Sequence, residues 1–336
     1  MTEAFTGAGG ALIADLAEHA RAASRAARSG ERATSGGSDD DTAVVVADRA
    51  DGTVVRVADT VAKAHPPGTD PAVLARRLAV AAHPLLRGIL LPPHLPPIAP
   101  SAGREAPFGT VAGRPVTVWP YGTAVDRDDP AAAPWAAAGV LLARLHAVDP
   151  RLLPGPLPAM AGPAKAARAM ARLDKAVAAT GGESAASRTV RAAWERLPAP
   201  ARDEAPHEGP AALCHGDLHL GQLVRHTAAD GRWLLIDIDD LGTGDPAWDL
   251  ARPAMWFAAG LLDPDAWDRF LTAYRSAGGS AVPADGDPWP RLDVPARALA
   301  VQTAALAVAK AAVTGRELDE AESELVTTCG RIAALG

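Results

Sequence analysis

The hydrophobic period changes once along this chain, and the change limits the folds open to it. Between residues 43 and 65 lie three short runs rich in β-branched residues: AVVVAD (43–48), TVVRV (53–57) and TVAKAH (60–65). Arg49-Ala50-Asp51-Gly52 supplies an Asp-Gly turn between the first two, so a small antiparallel sheet is expected. A helix is predicted over 70–82, where Asp70 stands at the N-cap and Pro71 at the first helical position. A proline-rich run (91–100) precedes two further strands, PFGTVAG and RPVTVWP. From WAAAGVLLARLHAV (135–148) onward the pattern is helical, interrupted only by residues 214–250. Leu12, Ile13 and Leu16 with spaced charges predict a helix over 11–28, and GERATSGGSDDD reads as a linker. The expectation is an α+β chain: a helix and linker over 1–40, a small sheet lobe over 41–122, and a helical lobe over 123–336.

Bulk properties narrow the function classes. Length, 336 residues, is enough for two cores. A net charge of −7 argues against a nucleic-acid partner held by a general basic field. Neither a basic n-region with an apolar core nor a run of 18 apolar residues appears, so neither secretion nor a membrane partner is expected. Cys214 and Cys329 are the only cysteines, which points to a reducing, cytoplasmic setting. Only four lysines occur, Lys63, Lys165, Lys175 and Lys310, so a lysine at the end of a strand carries weight.

The chemistry concentrates in CHGDLHLGQLVRHTAADGRWLLIDIDDLGTGDPAWDL, residues 214–250. Asp217 sits in a His-Gly-Asp turn, Gln222 follows five positions later, and the apolar run Trp233–Ile236 leads into Asp237. One acid able to orient and deprotonate a hydroxyl, with an amide oxygen and a second acid able to hold Mg²⁺ against nucleotide phosphates, is what phosphoryl transfer requires. Each residue also has a plainer reading. Asp217 would cap a turn, Lys63 would be a solvated strand lysine, and Asp239 would be either a turn residue or a same-face neighbour of Asp237 that aids a second metal or the acceptor hydroxyl.

The stretch resembles the catalytic core of the aminoglycoside phosphotransferase family of small-molecule kinases. HGDLHLGQ is similar to the maltokinase and glucosamine kinase branch, where Gln in this position is usual. The resemblance implies a bilobed protein-kinase-like fold and transfer of the γ-phosphoryl group of ATP, with Mg²⁺, to a hydroxyl of a small sugar, aminosugar or aminoglycoside-like partner. It implies Asp217 as catalytic base, Gln222 and Asp237 as metal ligands, and Lys63 on the α- and β-phosphates. An adenine-binding linker is implied at Val118, Trp119 and Tyr121, whose residues equally describe a strand leading into a loop. Asp249 is implied to brace the catalytic loop through its backbone. Two departures stand out: residues 73–82 hold no acid to pair with Lys63, and a Gly-rich phosphate loop is missing. The first of these, together with Gln222 where most of the superfamily has Asn, keeps open a nucleotide-binding pseudokinase as the alternative. Trp248, Trp256, Phe257 and Trp267 are either a sugar-stacking wall or core. His215, His219 and Cys214 lack a fourth ligand for zinc.

Overall fold

The computed structural model describes residues 8–30, 42–49, 52–95, 106–226 and 230–335. The linker after Gly30, the Ala50-Asp51 tip and most of the proline-rich run lie outside the described residues. In chain order the elements are α1 (Ala8–Gly30), β1 (Ala43–Arg49), β2 (Gly52–Val57), β3 (Thr60–Ala64), α2 (Pro71–Ala81), β4 (Gly109–Val111), β5 (Arg114–Pro120) and β6 (Thr123–Ala124). They continue with α3 (Trp135–His146), α4 (Gly162–Thr180), α5 (Ala185–Glu195), β7 (Ala212–Cys214), β8 (Leu223–Arg225), β9 (Trp233–Leu235) and β10 (Gly242–Gly244). Four helices close the chain: α6 (Ala247–Ala258), α7 (Pro264–Ser276), α8 (Trp289–Thr314) and α9 (Glu320–Ala333).

Two compact units form. The first takes residues up to Ala124, together with Leu153–Leu157 and Leu223–Asp239. Its main sheet is antiparallel in the order β1-β2-β3-β5-β4. Side chains on a strand alternate between faces, so Ala62 and Ala64 turn to one side and Lys63 to the other. On the first side Leu16, Ala17 and Ala20 of α1 pack with Val55, Val57, Ala62 and Ala64. Lys63 is thereby left on the opposite face, beside Val54 on β2 and Thr117 on β5. Asp70 caps α2 as its sequence predicts, accepting from the amides of Ala72 at 2.8 Å and Val73 at 3.2 Å. A second sheet, β6-β8-β9, places the strand before Asp237 in this unit. The Leu235 carbonyl accepts from the Leu91 amide at 2.9 Å, and its amide donates to the Ile89 carbonyl at 2.8 Å.

The second unit is helical apart from the β7-β10 pair. α8 runs through its centre with Leu292, Leu299, Val301 and Val308 buried, and α4, α6 and α9 pack around it. By length and composition α8 would span a membrane, but 61% of its apolar window is buried inside the unit, which is what a core helix requires. α3 lies against α7 so closely that a Cβ on Gly139 would stand 2.4 Å from the Phe270 carbonyl oxygen. Of the aromatic residues that read as either wall or core, Phe257 and Trp267 stack at 5.4 Å and Trp267 is buried, with Trp289 beside both. Trp267 belongs to packing, while Phe257 and Trp289 are half-buried. α6 begins at Ala247 with Pro246 at its N-cap, and Asp245 takes the Ala247 amide at 3.0 Å.

Candidate active site

In the first unit the missing helix glutamate has a replacement. The Lys63 ammonium lies 2.8 Å from Asp237 Oδ1 and 2.9 Å from Asp239 Oδ2. Both acids come from the segment after β9, and the extended geometry does not continue through them. The strand ends at Leu235, Asp237 takes a left-handed backbone (φ 67°), and its Oδ1 accepts from the Asp239 amide at 3.2 Å. A turn, not strand alternation, brings Asp239 round to Asp237. A left-handed aspartate is uncommon and costs energy unless its surroundings hold it. Burial alone would lower the Lys63 pKa, but the charges of Asp237 and Asp239 outweigh it and hold the ammonium charged. Asp239 is buried as well, which alone would raise its pKa; Lys63 and then His65 hold it well below the usual carboxylate range.

Behind this pair sits a polar chain that sequence reading missed. His65 Nδ1 stands 2.7 Å from Asp239 Oδ1, close enough for attraction although the ring N–H is not aligned as a hydrogen bond. His65 Nε2 is 2.8 Å from Thr117 Oγ1, and the Trp119 indole N–H donates to that same oxygen at 2.8 Å. Trp119 therefore supports the lysine site from within β5, with its indole buried. The Val118 carbonyl accepts from the His94 amide at 2.8 Å, the Tyr121 amide donates to the Asp59 carbonyl at 2.7 Å, and Arg56 stacks 3.5 Å over the Tyr121 ring. Two backbone groups of the expected adenine linker are thus bonded within the protein.

The second unit carries a cluster of the same design. Lys165, on the first turns of α4, lies 2.7 Å from Asp217 Oδ2 and 2.7 Å from Asp240 Oδ2. Arg252, on α6, donates to Asp217 Oδ1 at 2.5 Å. Burial by itself would raise the Asp217 pKa, but Lys165 and Arg252 override it and hold the carboxyl far below its ordinary value. Neither cation was singled out from the sequence. The signal available was the scarcity of lysine, which applies to Lys165 as much as to Lys63.

The loop carrying Asp217 is fixed through its backbone. Asp249, 1% exposed, accepts from the His215 amide at 2.7 Å and the Gly216 amide at 2.7 Å. His146 Nε2 lies 3.0 Å from the same carboxylate, and its Nδ1 lies 2.8 Å from the Tyr274 hydroxyl, which takes the Ala281 amide at 2.8 Å. The arrangement that satisfies every atom has Tyr274 donating to His146 and His146 donating to Asp249. His146 and Asp249 also lie near Cys214, but that trio forms part of this buried bonding, with the thiol directed at the carbonyls of Ala212 and Gly244. Gly216 must be glycine: its φ is 85°, and a Cβ would meet the Asp240 carbonyl oxygen at 2.4 Å.

His215 is buried in its loop, and its Nδ1 faces the Asp217 amide at 3.4 Å. His219 Nδ1 accepts from the Gly221 amide at 3.0 Å, and the Gln222 amide donates to the His219 carbonyl at 2.8 Å. Both histidines shape the turn. Gln222 is buried at the end of that turn. Its amide oxygen and the paired oxygens of Asp237 and Asp239 are hard donors of the kind Mg²⁺ takes, and the latter pair already converges on one cation, the Lys63 ammonium.

The pattern of the phosphotransferase enzyme family, APH, matches residues 31–292. No curated protein matches the chain. Among solved structures, the chain is similar to a thermostable mutant of the aminoglycoside phosphotransferase APH(4)-Ia in apo form, at 14% identity and a TM-score of 0.55, covering 87% of this chain and 94% of that one. A further mutant form of that enzyme, in a ternary complex with AMP-PNP and hygromycin B, gives 14% identity and a TM-score of 0.53 over 87% and 93% of the two chains. A choline/ethanolamine kinase family protein from Mesorhizobium loti gives 17% identity and a TM-score of 0.50 over 88% of each. At these identities the solved structures speak for the fold, and the family match covers most of the chain. The chain belongs to the phosphotransferase enzyme family and has a protein-kinase-like fold, with an antiparallel sheet toward its N-terminus and a helical C-terminal region.

Proposed function

We propose that this protein is a small-molecule kinase that moves the γ-phosphoryl group of ATP to a hydroxyl of a sugar-like acceptor in the presence of Mg²⁺. The observation that carries the reading is Asp217, ionised and held on a loop whose backbone is fastened by the buried Asp249. A carboxylate with so low a pKa is a weak base toward an intact alcohol. It orients the hydroxyl and takes the proton late, when bonding to phosphorus has made the oxygen acidic. The bond from the γ-phosphorus to the β-bridging oxygen breaks, the acceptor oxygen forms the new bond, and the hydroxyl proton passes to Asp217, leaving ADP. Lys63 is assigned to the phosphates, Asp237 to the metal with Asp239 beside it, and Gln222 to the metal by donor type. When bound, Mg²⁺ supplies charge neutralisation on the phosphate oxygens. Val118, Trp119 and Tyr121 remain assigned to the adenine side, with Trp119 acting through its support of Thr117.

The AMP-PNP complex of a similar structure supports ATP as donor, and the hygromycin B in it supports a small hydroxylated acceptor. The pseudokinase alternative draws on the missing helix glutamate and on Gln222. Lys63 has two acids, which answers the first of these arguments and leaves the second to the assay below.

The test is a coupled ADP-release assay with Mg·ATP over glucose, glucosamine, maltose and several aminoglycosides. Acceptor-dependent release that drops by about 10²–10⁴ in Asp217→Asn is expected. Mg·ATP binding, read as a melting shift cancelled by EDTA, without turnover on any hydroxyl would count for the pseudokinase.

A further inference from the structure

Within the second unit a cleft opens beside Asp217, and its lining bears on the charge of the acceptor. Lys165, Arg252, Trp248, Leu299 and Gln302 line it together with the Gly216–Leu218 segment. Asp217 is the only acid among its described lining residues, and both of its oxygens are engaged by cations. Asp240, the nearest further acid in this network, is itself held by Lys165. The cleft thus offers no unclaimed carboxylate to receive an ammonium group, because Asp217 and Asp240 are already paired with its two cations. Donors, by contrast, are in surplus. Arg252 uses one N–H on Asp217, while its Nε is buried and finds no partner among the described residues. Gln302 is only 5% exposed, and its side-chain amide hydrogen-bonds to no described residue. The further N–H groups of the Arg252 fork and the Gln302 amide are the donors a bound group could use. Arg presents its donors as a planar fork suited to carboxylate and phosphate. Trp248 and Leu299 complete the lining on its apolar side.

We propose that Arg252, Lys165 and Gln302 form an anion-recognition subsite beside Asp217, and that the acceptor is a hydroxyl compound bearing a carboxylate or phosphate rather than a polyamine. The proposal rests on the kinase reading above and narrows its acceptor. Arg252 and Lys165 then hold both the Asp217 carboxylate and the anionic group of the acceptor. The hydroxyl is thereby presented to Asp217, although the two negative charges would repel without the cations between them.

The experiment is calorimetric binding of four compounds sharing one ring, glucose, glucosamine, glucuronate and glucose 6-phosphate, in the presence of Mg·AMP-PNP. At least one acid is expected to bind about tenfold tighter than both glucose and glucosamine. The two acids separate a carboxylate subsite from a phosphate subsite. The preference is expected to vanish in Arg252→Gln and to shrink in Gln302→Leu, the second variant leaving the Asp217 ion pairs intact. Equal binding of all four, tighter binding of glucosamine, or an acid preference that survives both variants overturns the proposal. ADP release from a neutral or amine acceptor, with no acid preference, would sink this inference and leave the kinase standing. Loss of Mg·ATP binding and turnover altogether would sink the kinase reading, while the binding comparison run without nucleotide would still decide the charge of the cleft.

Discussion

The two units carry the same device built on different supports. In each, one of only four lysines bridges two aspartates at 2.7–2.9 Å. Lys63 is fixed by a strand register between β2 and β5, and its acids come from a turn that follows a strand. Lys165 projects from a helix, and its acids come from two loops of the second unit, one of them tied down by a buried carboxylate. The first cluster leans on neutral polar groups, Thr117 and the Trp119 indole, with His65 at Asp239. The second adds a full cation, Arg252. The difference suggests separate tasks. A lone lysine over two acids suits exchange of one cation for another at phosphate oxygens, whereas a doubly compensated Asp217 suits a carboxylate that must stay ionised while buried.

Asp249→Ala should break one half of the comparison and leave the other. It strips two backbone amides and His146 of their acceptor in a fully enclosed site, where removing one partner costs about 3–5 kcal/mol. Chemical denaturation should show that loss, and a change below about 1 kcal/mol would mean the brace is replaced by water. Next in size, Lys63→Met and Lys165→Met should each lower kcat/KM by about 10²–10³. KM for ATP should rise only in Lys63→Met; a comparable rise in Lys165→Met would erase the proposed division of labour.

Acid pH probes both clusters at once. Asp217 and Asp239 have folded pKa values below their unfolded ones. Their stabilisation is therefore fully present above the unfolded value, about 3.9, and is lost as pH falls below it toward the folded values. Melting temperature should hold from pH 7 to about pH 5 and then decline, with a shallower decline in both Asp217→Asn and Asp239→Asn. An unchanged slope in one variant would show that its cluster does not couple to folding. Smallest of all, Thr117→Val should cost about 1–2 kcal/mol, because the buried Trp119 N–H and His65 Nε2 both lose their partner while the Lys63 ion pairs remain. Urea denaturation measures this, and a loss as large as that of Asp249→Ala would make the neutral support as important as the charged one.

Much of this was legible beforehand because the signals are local. Period-two runs, the Asp-Gly turn and the Asp70-Pro71 start depend on neighbours in sequence, and the strands and helix appear where the pattern places them. His215, Gly216 and Asp217 read as a turn for the same reason. The Lys63 partner was not legible, because Asp239 reaches it only through the left-handed turn at Asp237. Lys165 and Arg252 were missed because each lies on a helix whose sequence signals only amphipathicity, and their shared target is distant in the chain. The resemblance assigns Trp119 to the adenine side through its backbone; what its side chain does was not legible, because the acceptor that its buried indole N–H finds, Thr117 Oγ1, is fixed only by the packing of the folded strand.

By itself the sequence determined the order of sheet and helices, the strand that bears Lys63, and the spacing of Asp217, Gln222 and Asp237, because each depends on backbone periodicity or turn chemistry over a few residues. Only the tertiary structure decided which charges neutralise which. A buried carboxylate is stable only beside a cation, and which cation that is depends on how distant segments pack.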